Sequence, residues 1–144
     1  SACSMKKYIL FTFLLVFMGC DKDNFSNNNP YLPNYSFAYN INMSLPQYSS
    51  LQFPSNAVYV NAGNTGIRGV FVFNTGGGYV AFDAACPNQA LTSCSTMTLN
   101  GINVICPCDN VSYSLFSGQA QGMQYPMKQY RVEQLDNFNL RVYN

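Results

Sequence analysis

The sequence predicts an all-β domain, an antiparallel sandwich or small barrel, and three observations carry that reading. Short runs of β-branched and aromatic residues recur from Asn56 to the end of the chain. Turn-forming Gly and Asn clusters separate them at hairpin distance. No stretch keeps a 3.6-residue apolar period for three turns, so helices have no signal to rest on.

The first strand signal spans residues 35–45, where every odd position, Tyr35, Phe37, Tyr39, Ile41, Met43 and Leu45, is large and apolar or aromatic. Such alternation suits a half-buried strand packed on the domain. Residues 57–60 form the next run. Runs 69–73 and 79–82 flank Asn74-Thr75-Gly76-Gly77-Gly78, and because a strand rather than a helix follows the glycines, this is a hairpin turn and not a phosphate loop. Runs 96–99 and 103–105 flank Asn100-Gly101, run 111–115 follows, and runs 129–133 and 138–142 flank Asp136-Asn137.

Composition narrows the function. A chain of 144 residues holds one domain, and with 9% charged residues and a net charge of +1 it has no basic patch for a phosphate backbone, so nucleic acid is not an expected partner. Histidine is absent, which excludes Ser-His-Asp and Cys-His couples and every imidazole-ligated metal. No catalytic set remains, and the protein reads as a non-enzyme. The 18 Asn supply polarity where charges usually would. There are 11 Tyr and 11 Phe but no Trp, and the strand alternation of these rings assigns them to a core rather than to a sugar-stacking platform.

The N-terminal region carries an address. Lys6 and Lys7 precede eleven mostly apolar residues, Tyr8 to Met18, then Gly19 and Cys20. This is the pattern of an export signal, and it is too short for the roughly 20 residues of a spanning helix. Phe17-Met18-Gly19-Cys20 resembles a bacterial lipobox, which implies lipidation of Cys20 and an outer-membrane anchor. Asp21-Lys22-Asp23-Asn24 is similar to the export tag of Bacteroidota surface lipoproteins. The expected division is a signal peptide with upstream residues at 1–19, a lipid-anchored tether at 20–34 and the β domain at 35–144. Cys3 lies before the start expected at Met5 and is set aside.

Four cysteines remain, Cys86, Cys94, Cys106 and Cys108. An even number in an exported chain favours two disulfides, and a Cys106–Cys108 bond across one proline is strained, which leaves two connectivities open. The run from Gly69 through Cys86-Pro87-Asn88, with Cys106-Pro107-Cys108-Asp109, Gly118, Tyr125-Pro126 and Tyr130-Arg131-Val132, resembles the Rieske iron-sulfur domain. In that family two loops, Cys-x-His and Cys-x-x-His, clamp a [2Fe-2S] cluster.

The resemblance implies a Rieske-like antiparallel fold with Cys86 and Cys106 at the cysteine-ligand positions. It places Asn88 and Asp109 at the histidine positions, and it pairs Cys108 with Cys94. With neither imidazole present a cluster is disfavoured, which leaves Cys86 and Cys106 to bond to each other. The expected protein is thus a cluster-less Rieske-like lipoprotein with no metal, serving as a structural or protein-interaction module and meeting another envelope protein. The alternatives are a [2Fe-2S] electron-transfer protein and a four-cysteine metal-binding protein. Asp83 and Asp109 read as solvated turn residues rather than an acidic pair.

The address gives a direct expectation. Cys20→Ser should move the protein from the membrane to the soluble fraction, because no transmembrane span or polybasic segment would hold it there. Fractionation of the variant checks this, and retention in membranes would refute the anchor.

Overall fold

A computed structural model describes residues 28–144. The expected export signal, Cys20 and the first part of the expected tether lie outside the described residues. Nine strands follow one another: β1 (Ala38–Asn42), β2 (Ala57–Val60), β3 (Val70–Asn74), β4 (Tyr79–Asp83), β5 (Thr98–Asn100), β6 (Asn103–Ile105), β7 (Ser112–Ser114), β8 (Gln129–Gln134) and β9 (Asn139–Tyr143). Among the described residues the helical element is a 3-10 turn at Ser49–Gln52, which seats Leu51 in the core. Among the described residues no helix is long and apolar enough to cross a membrane.

All pairings are antiparallel. One sheet has six strands in the order β1-β9-β8-β4-β3-β2, and the other has three in the order β5-β6-β7. The Asn74 to Gly78 cluster closes the β3–β4 hairpin, where Gly76 takes φ +90° and donates its N–H to the Asn74 side chain. Asp136 caps the β8–β9 turn by accepting from the backbone N–H groups of Phe138 and Asn139. These bonds favour its charged form and hold the carboxyl below its ordinary range. The 35–45 alternation is realised in β1, with Tyr39 and Ile41 turned inward and Ala38, Asn40 and Asn42 outward, and it ends with Met43 buried.

The five residues of β3 are all buried, because its two faces serve two cores. Phe71 and Phe73 pack with Phe82, Ala84, Met97, Val104, Tyr113 and Leu115 between the sheets. Val70 and Val72 face the opposite way and pack with Ile41, Leu51, Ala81, Leu140 and Val142. Val60 of β2 and Ile41 of β1 belong to this second core although their strands are the two edges of the sheet. The larger sheet is therefore curled on itself.

Polar contacts fix the framework. Asp83, at the end of β4, is fully buried rather than the solvated turn residue expected. Its carboxylate accepts from the Tyr130 hydroxyl at 2.6 Å and from the backbone N–H groups of Ile67 (2.6 Å), Arg68 (3.2 Å) and Ala85 (2.8 Å). Four donors converging on this strand-end carboxylate compensate its burial, and sequence alone does not show that convergence. Gly66, at φ +65°, lies so close that a Cβ would strike the carboxylate. Described residues within the stretch assigned to the tether pack on the domain. Asn29 Nδ2 donates to the Pro87 carbonyl at 2.6 Å, Leu32 is buried, and Asn34 Oδ1 accepts from Asn144 Nδ2 at 2.8 Å. Single amides hold this segment, so no apolar period marks it.

Tyr130→Phe removes one of the four donors to Asp83 and should lower stability by about 1–3 kcal/mol, read as a lower denaturant midpoint. Burial, partly offset by the hydrogen bonds, raises the folded-state pKa of Asp83. Its contribution to stability is then full below the ordinary carboxylate pKa and is lost as pH rises through the raised value. The melting temperature of the wild type relative to Asp83→Asn should accordingly fall as pH is raised from about 3 to about 7.

Candidate functional site

Two loops carry the four cysteines together with Asn88 and Asp109. The first, residues 84–97, leaves β4 and leads into β5. It is drawn into a narrow finger by the Ala85–Thr96 bridge and by backbone bonds from Cys86 N to Ser95 O (2.8 Å) and from Met97 N to Ala84 O (2.7 Å). The second, residues 106–111, joins β6 to β7. Cys106 N donates to Val111 O at 3.0 Å and Asn110 N to Cys106 O at 2.8 Å. Asn110 has φ +60°, in the left-handed region that asparagine tolerates better than most side chains do.

Cys86 is bonded to Cys106 and Cys94 to Cys108, with Cα separations of 5.7 and 5.2 Å. Of the two connectivities the residues alone leave open, this is the one the family resemblance implies. Both bonds run from the first loop to the second. The inner one is covered, with Cys86 at 1% and Cys106 at 0% exposure. In the outer bond Cys94 is exposed and Cys108 half-buried. The sulfurs of Cys86, Cys106 and Cys108 lie within 4.8 Å of one another. That spacing suits a shared metal ion if they were thiolates, but each is committed to a disulfide.

Polar side chains surround the sulfurs. Gln89 Nε2 donates to Cys106 Sγ at 3.1 Å. Thr92 Oγ1 is 3.2 Å from Cys94 Sγ and 3.9 Å from Cys108 Sγ, and Ser95 Oγ is 3.9 Å from Cys108 Sγ. A disulfide sulfur carries no hydrogen, so any hydrogen bond to it comes from the hydroxyl, and the single proton of Thr92 serves one sulfur at a time.

Asn88 uses its whole amide as a clip. Nδ2 donates to the Tyr113 hydroxyl and to the Tyr125 carbonyl, and Oδ1 accepts from Tyr125 N, each at 2.8 Å. The first loop is thereby tied to β7 and to the segment before β8. Tyr113 is buried, and desolvation pushes its phenol pKa up, so it stays protonated. Asp109 is exposed and caps its own turn, Oδ1 accepting from Val111 N at 3.0 Å. The turn reading holds for Asp109, and no acidic pair with the buried Asp83 has a structural basis. Sequence reasoning missed Gln89, Tyr113 and the clip made by Asn88. A lone amide in a loop carries no pattern, and Tyr113 differs in no way from the other strand aromatics.

The site thus belongs to an all-β, antiparallel protein with two loops joined by two disulfides. No protein-family model matches the sequence, and no curated protein matches it. Solved structures with a similar fold include a chain in the complex of reduced oxygenase and oxidized ferredoxin in carbazole 1,9a-dioxygenase. It is 20% identical, with 74% of this chain and 92% of that chain covered and a TM-score of 0.49. The ferredoxin of Sphingomonas yanoikuyae is 20% identical, with 64% and 88% covered and a TM-score of 0.43. The ferredoxin of carbazole 1,9a-dioxygenase from Nocardioides aromaticivorans is 16% identical, with 62% and 86% covered and a TM-score of 0.42. At these levels neither a function nor a cofactor carries over to this chain.

Asn88→Ala removes three hydrogen bonds and leaves the Tyr125 N–H without its acceptor. The variant should lose about 1–3 kcal/mol of stability, with faster amide exchange at Tyr125 as the local signature.

Proposed function

We propose that the protein is a lipid-anchored outer-membrane lipoprotein whose Rieske-like domain carries no cluster and serves as a rigid structural or protein-interaction module. The observation that carries the reading is the inner disulfide. The two cysteines at the ligand positions are bonded to each other, and a [2Fe-2S] cluster of this kind needs two thiolates and two neutral imidazoles. The other two positions do not fit the cluster either. An amide nitrogen has no free lone pair, and all the groups of Asn88 are engaged away from the sulfurs. Asp109 offers only a hard carboxylate oxygen and uses one oxygen in its turn.

Two cross-links, with sequence separations of 20 and 14, stiffen the loop end by about 3 kcal/mol each through loop-closure entropy. Loops held on a stiff scaffold are where binding surfaces commonly arise. The exposed positions here include Ala90, Pro107 and Asp109, and another envelope protein is the partner that the address implies. The membrane part of the reading rests on Lys6-Lys7, the apolar run and Gly19-Cys20. Electron transfer by a cluster, and metal binding by four thiolates, both require the cysteines in reduced form.

Protein exported by an iron-replete host should be colourless, with iron, zinc and acid-labile sulfide all far below one per chain. Stoichiometric iron with sulfide would replace this reading by electron transfer, and stoichiometric zinc by a four-thiolate site. Asn88→His combined with Asp109→His should remain colourless, because the sulfurs stay paired and the groups that would orient the imidazoles are missing. A photo-crosslinker at Asp109 should capture an envelope protein in outer membranes, and no capture from any exposed loop position would remove the interaction role.

A further inference from the structure

The exposures of the two disulfides differ, yet their sulfurs adjoin. The inner bond is out of reach of a dissolved reductant, with both cysteines at 1% exposure or less. The outer bond presents Cys94 to solvent, and its other sulfur, Cys108 Sγ, lies within 4.8 Å of both inner sulfurs. Thiol-disulfide exchange needs a thiolate close to a disulfide sulfur, and a leaving sulfur that can hold negative charge.

We infer that the four cysteines form an exchange relay, through which an external dithiol acting on the exposed Cys94–Cys108 bond passes reduction to the buried Cys86–Cys106 bond. In the first step a thiolate of the dithiol attacks Cys94 Sγ. A mixed disulfide to Cys94 forms, the Cys94–Cys108 bond breaks, and the electron pair leaves on Cys108. The Thr92 and Ser95 hydroxyls, both 3.9 Å from Cys108 Sγ, are placed to donate to that thiolate. In the second step Cys108 Sγ attacks Cys86 Sγ, the Cys86–Cys108 bond forms, and Cys106 leaves as a thiolate. Gln89 Nε2, already 3.1 Å from Cys106 Sγ, stabilises the departing charge. Attack on Cys106 is the poorer course, because it would close a ring across Pro107 alone. The second thiol of the reductant then displaces Cys94. Two electrons have moved: the dithiol has become a disulfide, its two protons have passed to Cys94 and Cys106, and the protein keeps one bond, Cys86–Cys108.

The relay rests on the disulfide pairing and not on the membrane address or the interaction role, so it can fail while those stand. The test treats the full chain with one equivalent of dithiothreitol. The mixture is quenched in acid, unfolded, and alkylated with N-ethylmaleimide. It is then fully reduced and labelled with iodoacetamide, and fragment-ion sequencing assigns the label on each cysteine. The relay predicts singly reduced chains with maleimide on Cys94 and Cys106 and acetamide on Cys86 and Cys108. Maleimide on Cys94 and Cys108 in all such chains would overturn the relay, and maleimide on Cys94 and Cys86 would overturn the assigned course. In Cys94→Ser with Cys108→Ser the inner bond should be reduced at least about tenfold more slowly than in the wild type, since the intramolecular attacker is gone. An unchanged rate in the folded variant would also count against the relay, and the label pattern on the unaltered chain decides even if the variant does not fold.

Discussion

The bond between Cys86 and Cys106 lies where the two sheets have to be held together. Cys86 stands just past the end of β4 in the six-stranded sheet, and Cys106 just past the end of β6 in the three-stranded one. Both are members of the apolar core that fills the space between the sheets, beside Phe82, Val104 and Tyr113. One covalent link therefore coincides with the centre of inter-sheet packing. The small sheet consists of strands of three residues each, and such short strands give few ladder hydrogen bonds to resist separation. With the link in place, the packing of Met97, Tyr113 and Leu115 against Phe71 and Phe73 is closed over far less conformational freedom.

The strands were readable because their signals are local. The alternation from Tyr35, the apolar run at Val70 to Phe73, and the turns at Asn74 to Gly78, Asn100-Gly101 and Asp136-Asn137 each specify structure through neighbours in sequence. Observed strand ends differ from the readings by a residue or two, as with β5, which begins at Thr98, while Thr96 makes only an isolated bridge. The exception is β1, which covers only Ala38–Asn42 of the 35–45 alternation and leaves Tyr35 and Leu45 exposed. The cysteine loops were legible through their motif. What sequence could not show are contacts made by single polar side chains over long separations. Tyr130 reaches Asp83 across 47 positions, Asn88 reaches Tyr125 across 37, and Asn29 reaches Pro87 across 58. None belongs to a period, a turn or a motif.

Amides do much of the work that ion pairs do elsewhere. Besides Asn88, the buried Asn74 donates to the Leu51 carbonyl, and Asn144 donates to Asn34 and to the Tyr35 carbonyl. Arg141 and Glu133, 3.8 Å apart and both about half exposed, form a salt bridge of the kind that contributes little. Amide hydrogen bonds do not titrate and are hardly screened by salt. Asp83, buried and with its carboxyl pKa raised by desolvation, ties folded structure to pH. A protein built this way keeps its shape across wide changes of ionic strength.

If Cys20 carries the proposed lipid, the contact of Asn29 with Pro87 limits how far the domain can stand from it. Chain spans at most about 3.3–3.6 Å per residue, so the eight residues between Cys20 and Asn29 would reach roughly 30 Å at full stretch before the chain is pinned to the first cysteine loop. Tyr31 adds a ring contact with Tyr125 close by. Such a leash would attach at the disulfide end of the domain. That end would be kept near the bilayer surface, and whatever meets the loops would have to come from the side, within the layer just above the lipid headgroups.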